Sequence, residues 1–183
     1  MKRPALLFIQ GGGKGAYDAD KKLVSYLQKA LSREYEIIYP RMPDEDDPNY
    51  EVYKAKIDKE LKRIEGELIL VGHSLGACFL LKYLAENDID KTISGLFLLS
   101  TPFWGEGGWQ YEGFSLDNQL AAKKTADIPV FFYQGTKDEI VPFSHLSLYR
   151  KKFPQATFRE ITGRGHQLNN DLSPVARDIQ QLT

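Results

Sequence analysis

The feature that most constrains the fold of this chain is a regular alternation between short apolar runs and longer segments with helical periodicity. The short runs are almost continuously apolar and occupy residues 5–9, 35–39, 68–71, 96–100, 130–133 and 157–161. Such runs are typical of strands that are covered on both faces, as in a parallel sheet. The segments between them place apolar residues on one helical stripe, over residues 20–33, 50–64, 74–86, 142–153 and 173–182. The alternation predicts an α/β fold with about six mainly parallel strands and helices on both faces of the sheet.

The length of the chain, 183 residues, predicts a single domain over residues 1–183. No internal repeat or long linker interrupts the pattern. Two segments are expected to be irregular: residues 41–49, which are acidic and contain proline, and residues 101–117, which are rich in glycine and aromatic residues. Neither is long enough to form a separate lid domain.

Composition and charge limit the classes of binding partner and the cellular compartment expected for this protein. The formal net charge of −1 gives no indication of a nucleic-acid or membrane-surface partner, and no apolar run approaches the roughly 20 residues of a membrane span. The apolar part of the first segment, residues 5–9, is too short for a signal peptide and is interpreted as a strand. Cys78 is the single cysteine, which excludes an intrachain disulfide and suits the cytoplasm. The oligomeric state cannot be inferred from these features.

A serine between two glycines marks the end of the third apolar run. In the stretch LILVGHSLGACFLLKYLAE, the residues Gly72, Ser74 and Gly76 form the pattern G-x-S-x-G where the apolar run passes into a helical pattern. In this context the serine is held on a sharp, strained turn above the carboxyl end of the sheet, where open α/β sheets bind ligands. Ser74 is therefore predicted to be a catalytic nucleophile. The alternative is a glycine-bounded turn whose serine caps a helix.

A serine nucleophile needs a base to take its proton, and the chain has three histidines. His73 is adjacent to Ser74, and because successive side chains point apart it is expected to be structural. His145 is expected to face solvent from a helical segment. His166 lies in the stretch ITGRGHQLNN, past the last strand and at the same rim as Ser74, and is predicted to be the base. The alternative is an ordinary histidine in a surface loop.

The base in turn needs a carboxylate that orients its ring. The stretch VFFYQGTKDEIVP ends a strand and then turns through Gly135, which makes Asp138 and Glu139 both candidates for this role. The alternative is a solvated acidic turn.

The glycine-rich stretch IQGGGKGAYD follows the first strand and is predicted to supply part of an oxyanion hole. Glycines let a carbonyl oxygen approach the backbone closely, and the predicted donors are the N–H groups of Gly12 and Leu75, with Gly11 as an alternative to Gly12. A phosphate-binding loop is the competing interpretation. It lacks the spacing G-x-x-x-x-G-K-[ST], because Lys14 is followed by Gly15.

The motifs QGGG, GHSLGA, GTKDEIVP and GRGH together make the chain resemble the α/β-hydrolase superfamily over nearly its whole length. It looks most like the small serine hydrolases without a lid domain that are similar to retinoblastoma-binding protein 9 and the bacterial YdeN proteins. The resemblance implies a nucleophile at Ser74, an acid at Asp138 and a base at His166, in the chain order of that fold. It also implies carboxylesterase or amidase chemistry. Many relatives have His-Gly where this chain has Gln10-Gly11, a departure that bears on the geometry of the oxyanion loop.

The irregular segment 101–117 offers aromatic side chains at the rim of the sheet. Phe103, Trp104 and Trp109 are predicted to wall an apolar acyl pocket. The alternative is that they cover the end of the sheet. Because no lid is expected, the site should be shallow and open, and suited to small or medium acyl groups.

Taken together, these residues predict a serine hydrolase that cleaves an ester, thioester or amide through an acyl-enzyme intermediate. The chemistry requires no metal and no organic cofactor, and the expected partner is a small-molecule acyl substrate. Two alternatives stay open. One is a non-catalytic binding or scaffold protein on a retained hydrolase fold, and the other is an acyltransferase that uses the same three side chains.

Overall fold

The computed structural model describes residues 3–182, and within them the strands form one fully parallel sheet. Its order across the sheet is β2-β1-β3-β4-β5-β6. The strands are β1 (Ala5–Ile9), β2 (Glu36–Ile38), β3 (Leu68–His73), β4 (Ile93–Leu99), β5 (Val130–Gly135) and β6 (Thr157–Ile161). The predicted α/β-hydrolase fold, with its six strands and no lid domain, is confirmed by this topology.

Helices cover both faces of the sheet, as predicted. The helices are α1 (Ala16–Leu31), α2 (Tyr50–Arg63), α3 (Leu75–Glu86), α4 (Asn118–Lys124), α5 (Ser144–Lys152) and α6 (Ser173–Gln180). Helices α1 and α6 pack on one face, and α2 to α5 contribute to the apolar core on the other. A short 3-10 turn, Leu168–Asn170, precedes α6.

Alternate side chains of the central strands supply both cores. Leu70 of β3 points to the core under α2 and α3, whereas its neighbours Ile69 and Val71 point to the core under α1 and α6. All three are almost completely buried. Burial on both faces explains why these strands appear in the sequence as continuous apolar runs.

The two edge strands are less buried than the central ones. Strand β2 is only three residues long and exposes Glu36, and β6 exposes Arg159 and Glu160. Their outer sides have no neighbouring strand to cover them, and exposed charged side chains also protect such edges from pairing with other chains.

The strand order places a topological switch point between the internal strands β1 and β3. Strand β1 has β2 on one side and β3 on the other, so the connections that leave β1 and β3 diverge. In open α/β sheets this switch point, beyond the carboxyl ends of the strands, is where ligands bind. No helix within residues 3–182 combines the length and the apolar character needed to cross a membrane.

Candidate active site

Ser74 occupies a strained turn between β3 and α3. Its backbone has φ 52° and ψ −122°, a conformation that L-residues rarely adopt. The Ser74 N–H donates to the Leu99 carbonyl of β4 at 2.8 Å, which fixes the turn at the carboxyl end of the sheet. Strain of this kind persists only where the surroundings impose it, and it is the geometry expected of a nucleophile elbow.

Gly72 and Gly76, on either side of Ser74, allow the backbones of β1, β3 and α3 to pack closely together. A methyl group at Gly76 would overlap the carbonyl oxygens of Ile9 and Gln10 at the end of β1, and one at Gly72 would lie 2.6 Å from the Ala77 Cα. Neither backbone is free to move aside. The sequence pattern G-x-S-x-G is therefore a packing requirement of the turn itself.

Asp138 and His166 form a buried pair. His166 Nδ1 lies 3.0 Å from each carboxylate oxygen of Asp138, and the Asp138 side chain is completely buried. That carboxylate also accepts hydrogen bonds from Gln134 Nε2 at 2.7 Å and from the N–H groups of Ile140 and Val141 at 2.9 and 2.8 Å. Burial alone would raise the pKa of Asp138, but His166 and the two N–H donors lower it below its ordinary value. The carboxylate is thus held ionised beside the imidazole.

Glu139, the other acidic candidate, contacts the backbone of His166 and not its ring. Its Oε2 accepts the backbone N–H of His166 at 3.0 Å, and it packs so closely on Gly165 that a methyl group there would lie 2.7 Å from the same oxygen. The two acidic residues are therefore not equivalent, since Asp138 orients the ring and Glu139 fixes the loop.

The backbone of His166 lies beside the turn that carries Ser74. Its carbonyl oxygen accepts the Ser100 hydroxyl at 2.8 Å and is 3.1 Å from His73 Nε2, and the rings of His73 and His166 are 4.8 Å apart. The hydrogen bonds of the His166 ring within residues 3–182 both involve Nδ1. This arrangement assigns a hydrogen to Nδ1 and leaves Nε2 to accept a proton.

The loop after β1 distinguishes Gly12 from its neighbours. The Gly11 N–H donates to Asp20 Oδ2 at 2.8 Å and the Gly13 N–H to the Glu45 carbonyl at 2.6 Å, whereas the Gly12 N–H has no acceptor within the described residues. A methyl group at Gly12 would come 2.8 Å from Leu75 Cδ2, so the two residues predicted to supply the oxyanion donors lie close together. Leu75 is the first residue of α3, where the backbone N–H has no partner inside the helix.

The side chain of Gln10, the residue that departs from the His-Gly of many relatives, is bonded to the segment 41–49. It is completely buried, with Nε2 donating to Glu45 Oε2 at 3.0 Å and Oε1 accepting the Met42 N–H at 3.1 Å. Glu45 Oε2 also accepts the Tyr17 N–H at 2.8 Å. Gln10 therefore ties the irregular segment 41–49 to the loop after β1.

The other two histidines are both buried. The expectation that His145 faces solvent is wrong: the residue is 3% exposed, its Nδ1 accepts the Phe103 N–H at 2.8 Å, and Trp109 packs edge-on against its ring. Burial lowers the pKa of His145, in keeping with a neutral ring that accepts a hydrogen bond. His73 is buried beside Asp20, a residue that the sequence interpretation did not single out.

A groove of about 730 Å³ begins at Leu75, next to Ser74. Its aromatic lining residues are Tyr50, Phe79, Trp104, Tyr111 and Phe114. Trp104 is thus the predicted pocket residue that reaches this groove. Phe103 is 3% exposed and packs against Tyr149, and Trp109 packs on Trp104 and His145, so both serve mainly to support the segment.

Within residues 3–182, no group of three or more His, Cys, Asp and Glu side chains is arranged to hold a metal ion.

Comparison with known structures agrees with the observed topology. The ydeN gene product from B. subtilis superposes with a TM-score of 0.76 at 18% identity, covering 99% of this chain and 98% of that one. Est1E from Butyrivibrio proteoclasticus has a TM-score of 0.73 at 17% identity, with 98% and 86% covered. Arabidopsis thaliana SOBER1 has a TM-score of 0.66 at 16% identity, with 99% of both chains covered. At these identities the likeness establishes the fold.

A search of curated protein sequences found no match. A family model does match, and it spans residues 17–172 of the chain. That range includes Ser74, Asp138 and His166, while the loop with Gly12, predicted to supply an oxyanion donor, lies just before it. By this match over most of its length, the chain belongs to the Serine hydrolase family.

Proposed function

We propose that this protein cleaves a small or medium ester, thioester or amide through a covalent acyl-enzyme intermediate on Ser74. The observation that carries the proposal is the buried Asp138–His166 pair, with both Asp138 oxygens 3.0 Å from His166 Nδ1, beside the strained Ser74 turn. A binding protein would need neither the strain nor the oriented imidazole.

In the proposed reaction, Ser74 Oγ attacks the carbonyl carbon of the substrate while its proton moves to His166 Nε2. The imidazolium that forms is stabilised by the ionised Asp138. Collapse of the tetrahedral intermediate expels the leaving group, which takes the proton from His166 and leaves the acyl group on Ser74. Water then repeats these steps, with His166 as its base, and releases the carboxylic acid.

The negative charge of the tetrahedral intermediate needs fixed donors. The N–H groups of Gly12 and Leu75 are proposed for this role, because the two residues lie close together and neither N–H has an acceptor among the described residues. Loss of one such donor typically costs about 10² to 10³ in turnover. Since both donors belong to the backbone, the departure at Gln10 does not remove them.

The groove beside Leu75 is proposed to hold the acyl group. Its floor is formed by Phe79 and Tyr50, which are almost completely buried, and Trp104 and Phe114 pack on each other edge-to-face in its wall. Aromatic walls of this kind bind apolar groups and leave the polar carbonyl at the mouth. A medium-length acyl chain would extend from Ser74 along this surface.

The cytoplasm is the proposed location, on the ground of cysteine chemistry. Cys78 is buried and has no disulfide partner, and burial raises the pKa of its thiol to about 12. Such a thiol is chemically inert and has no role in the reaction above.

The test is labelling with a fluorophosphonate probe, which reacts with an activated serine by displacement of fluoride at phosphorus. Wild-type protein should become labelled, and mass spectrometry of the peptides should place the label on Ser74. Ser74→Ala should abolish labelling and lower ester hydrolysis by up to about 10⁶-fold. Ser147→Ala, at an exposed serine on α5, is the matched control and should behave like wild type. An unlabelled wild-type protein would instead favour the binding-protein alternative.

A further inference from the structure

A second carboxylate–imidazole pair lies behind the candidate active site. His73 Nδ1 is 2.9 Å from Asp20 Oδ1, and both side chains are 2% exposed or less. The two atoms are close but not aligned as a hydrogen bond, and the contact is an ion pair when His73 is protonated. His73 is the last residue of β3, and Asp20 lies in the first half of α1. The reaction proposed above uses neither side chain.

The surroundings of His73 indicate that both of its ring nitrogens carry a hydrogen. Its Nε2 lies 3.1 Å from the His166 carbonyl oxygen, and a carbonyl oxygen can only accept. On the other side of the ring, Nδ1 faces the Asp20 carboxylate, whose charge would repel an unprotonated nitrogen. A ring placed between two acceptors is favoured as an imidazolium, whose charge the nearby Asp20 carboxylate balances.

Asp20 is in turn surrounded by donors, which favours its ionised form. Its Oδ2 accepts the Gly11 N–H at 2.8 Å, and Oδ1 accepts Gln167 Nε2 at 3.0 Å. Burial alone would raise the pKa of Asp20, but the charge of His73 and these hydrogen bonds lower it. Burial likewise disfavours the charged form of His73, and Asp20 overcomes this and raises the pKa of His73 above its ordinary value.

The pair contacts the chain next to each part of the candidate machinery. Gly11, held by Asp20, precedes the proposed oxyanion donor Gly12. His73 itself precedes Ser74. The third contact is with the loop of His166, through Gln167 Nε2 and through the His166 carbonyl oxygen.

We propose that Asp20 and His73 form a buried aspartate–imidazolium pair that positions the oxyanion loop, the nucleophile turn and the base loop relative to one another. Both are positioning residues, because neither reaches the reacting atoms. The role rests on the proposed hydrolase function. Its physical basis is that one carboxylate and one imidazolium together contact all three segments. The chain topology brings these segments to the same rim of the sheet but does not by itself fix their relative positions.

The first test removes the charge of the Asp20 side chain while keeping its size and shape. Asp20→Asn should lower kcat by about 10²-fold, the size of effect expected when reacting groups shift by about 1 Å, and should leave KM within about twofold. Asp178→Asn is the matched control. Asp178 is also a buried carboxylate in an ion pair, but its partners Tyr133 and Arg159 are not site residues. The Asp178→Asn variant should lose about as much thermal stability as Asp20→Asn but keep the wild-type kcat. Equal kcat values for the two variants would overturn the positioning role.

A milder variant tests the same role if Asp20→Asn fails to fold. Gln167→Ala removes a single hydrogen bond to Asp20 and should lower kcat in the same direction by a smaller factor, with circular dichroism unchanged. If this folded variant retained the full wild-type kcat, the hydrogen bond from Gln167 to Asp20 would not position the base loop, and that part of the proposal would fail.

The second test needs neither activity nor a variant. In ¹⁵N NMR spectra of the wild-type histidine rings at pH 7, both nitrogens of His73 should report an attached hydrogen. An unprotonated nitrogen would overturn the imidazolium assignment. Because fluorophosphonate labelling of the wild type decides the hydrolase function separately, failure of that function and failure of the pair give different results. Labelled protein with a neutral His73 would reject only the pair, and unlabelled protein with a doubly protonated His73 would reject only its catalytic purpose.

Discussion

Asp138 holds the ring of His166 with both of its carboxylate oxygens, each 3.0 Å from His166 Nδ1. The geometry places the hydrogen on Nδ1 and leaves Nε2 as the nitrogen that would accept a proton in the proposed reaction. An amide in place of the carboxylate could present an N–H to the same nitrogen and reverse the tautomer, which is the known consequence of such a change in serine proteases.

Asp138→Asn should therefore lower kcat by about 10⁴-fold while the protein stays folded. Glu139→Gln is the natural comparison, because the amide oxygen of glutamine can still accept the His166 N–H that Glu139 now accepts at 3.0 Å. Its effect on kcat should be small. Steady-state kinetics of the two variants, measured side by side on one ester, separate the roles. If Glu139→Gln were the more damaging change, the orienting role would pass to Glu139.

Gln10 should matter for stability more than for chemistry. Gln10→Ala would leave the buried Met42 N–H without an acceptor and remove one partner of Glu45. The expected loss in the free energy of unfolding is about 1 to 3 kcal/mol, measurable by urea denaturation. Gln155→Ala is a suitable control, since the side chain of Gln155 makes one hydrogen bond of 3.3 Å to the Ala122 carbonyl and the residue is exposed. If both variants lost the same stability, the link through Gln10 to the segment 41–49 would have no special value.

Trp104 should determine how the protein responds to acyl chain length. Trp104→Ala opens the wall of the groove beside Leu75, so esters of six to eight carbons should lose about 10- to 200-fold in kcat/KM while an acetyl ester is nearly unaffected. Kinetics on a series of 4-nitrophenyl esters measures this directly. Tyr111→Ala provides the control, because Tyr111 lies at the same groove but is 70% exposed and should contribute little. An equal loss on short and long esters would place the acyl chain elsewhere.

The strands could be predicted from the sequence because central parallel strands are continuous apolar runs. The predicted range 5–9 coincides with the central strand β1, and the range 157–161 coincides with the edge strand β6, although β6 carries two charged residues. Helix α4 was not predicted, since its seven residues make only about two turns and show no apolar stripe long enough to recognise. Its start does carry a local signal, because Asp117 accepts the N–H groups of Gln119 and Leu120 as a helix cap.

The main residues of the candidate site could be predicted because each lies in a local sequence motif. Ser74 sits in a glycine pattern that the close approach of β1 to Gly76 requires. The role of Asp20 depends instead on contacts with residues far away in the sequence, such as Gln167, so no local motif reports it. A signal exists nonetheless: Asp20 lies on the same buried stripe of α1 as Leu23 and Leu27, where a carboxylate is expected only if it is paired.

The pH dependence of stability offers a final prediction about His73. Its pKa in the folded protein is raised above the ordinary value because burial, which opposes the charge, is outweighed by Asp20, with a further contribution from the charge of Asp138. The ring of His166 also faces it. A group with a raised folded pKa binds its proton more tightly in the folded state, so its stabilisation is fully present below the unfolded value of about 6.5 and is lost as pH rises towards the folded value.

Across that window, from about pH 6.5 upward, the contribution of His73 to the free energy of unfolding should fall by up to about 1.4 kcal/mol per pH unit, the value for one proton. His73→Gln cannot titrate and should lack this slope. The quantity to measure is the difference in unfolding free energy between wild type and variant, from urea denaturation at intervals between pH 6 and 9. Taking the difference largely cancels the opposite trend of His145, whose lowered pKa affects stability on the acid side. The difference should shrink as pH rises. A constant difference would mean that His73 gains no proton on folding, and the imidazole beside Asp20 would then be neutral.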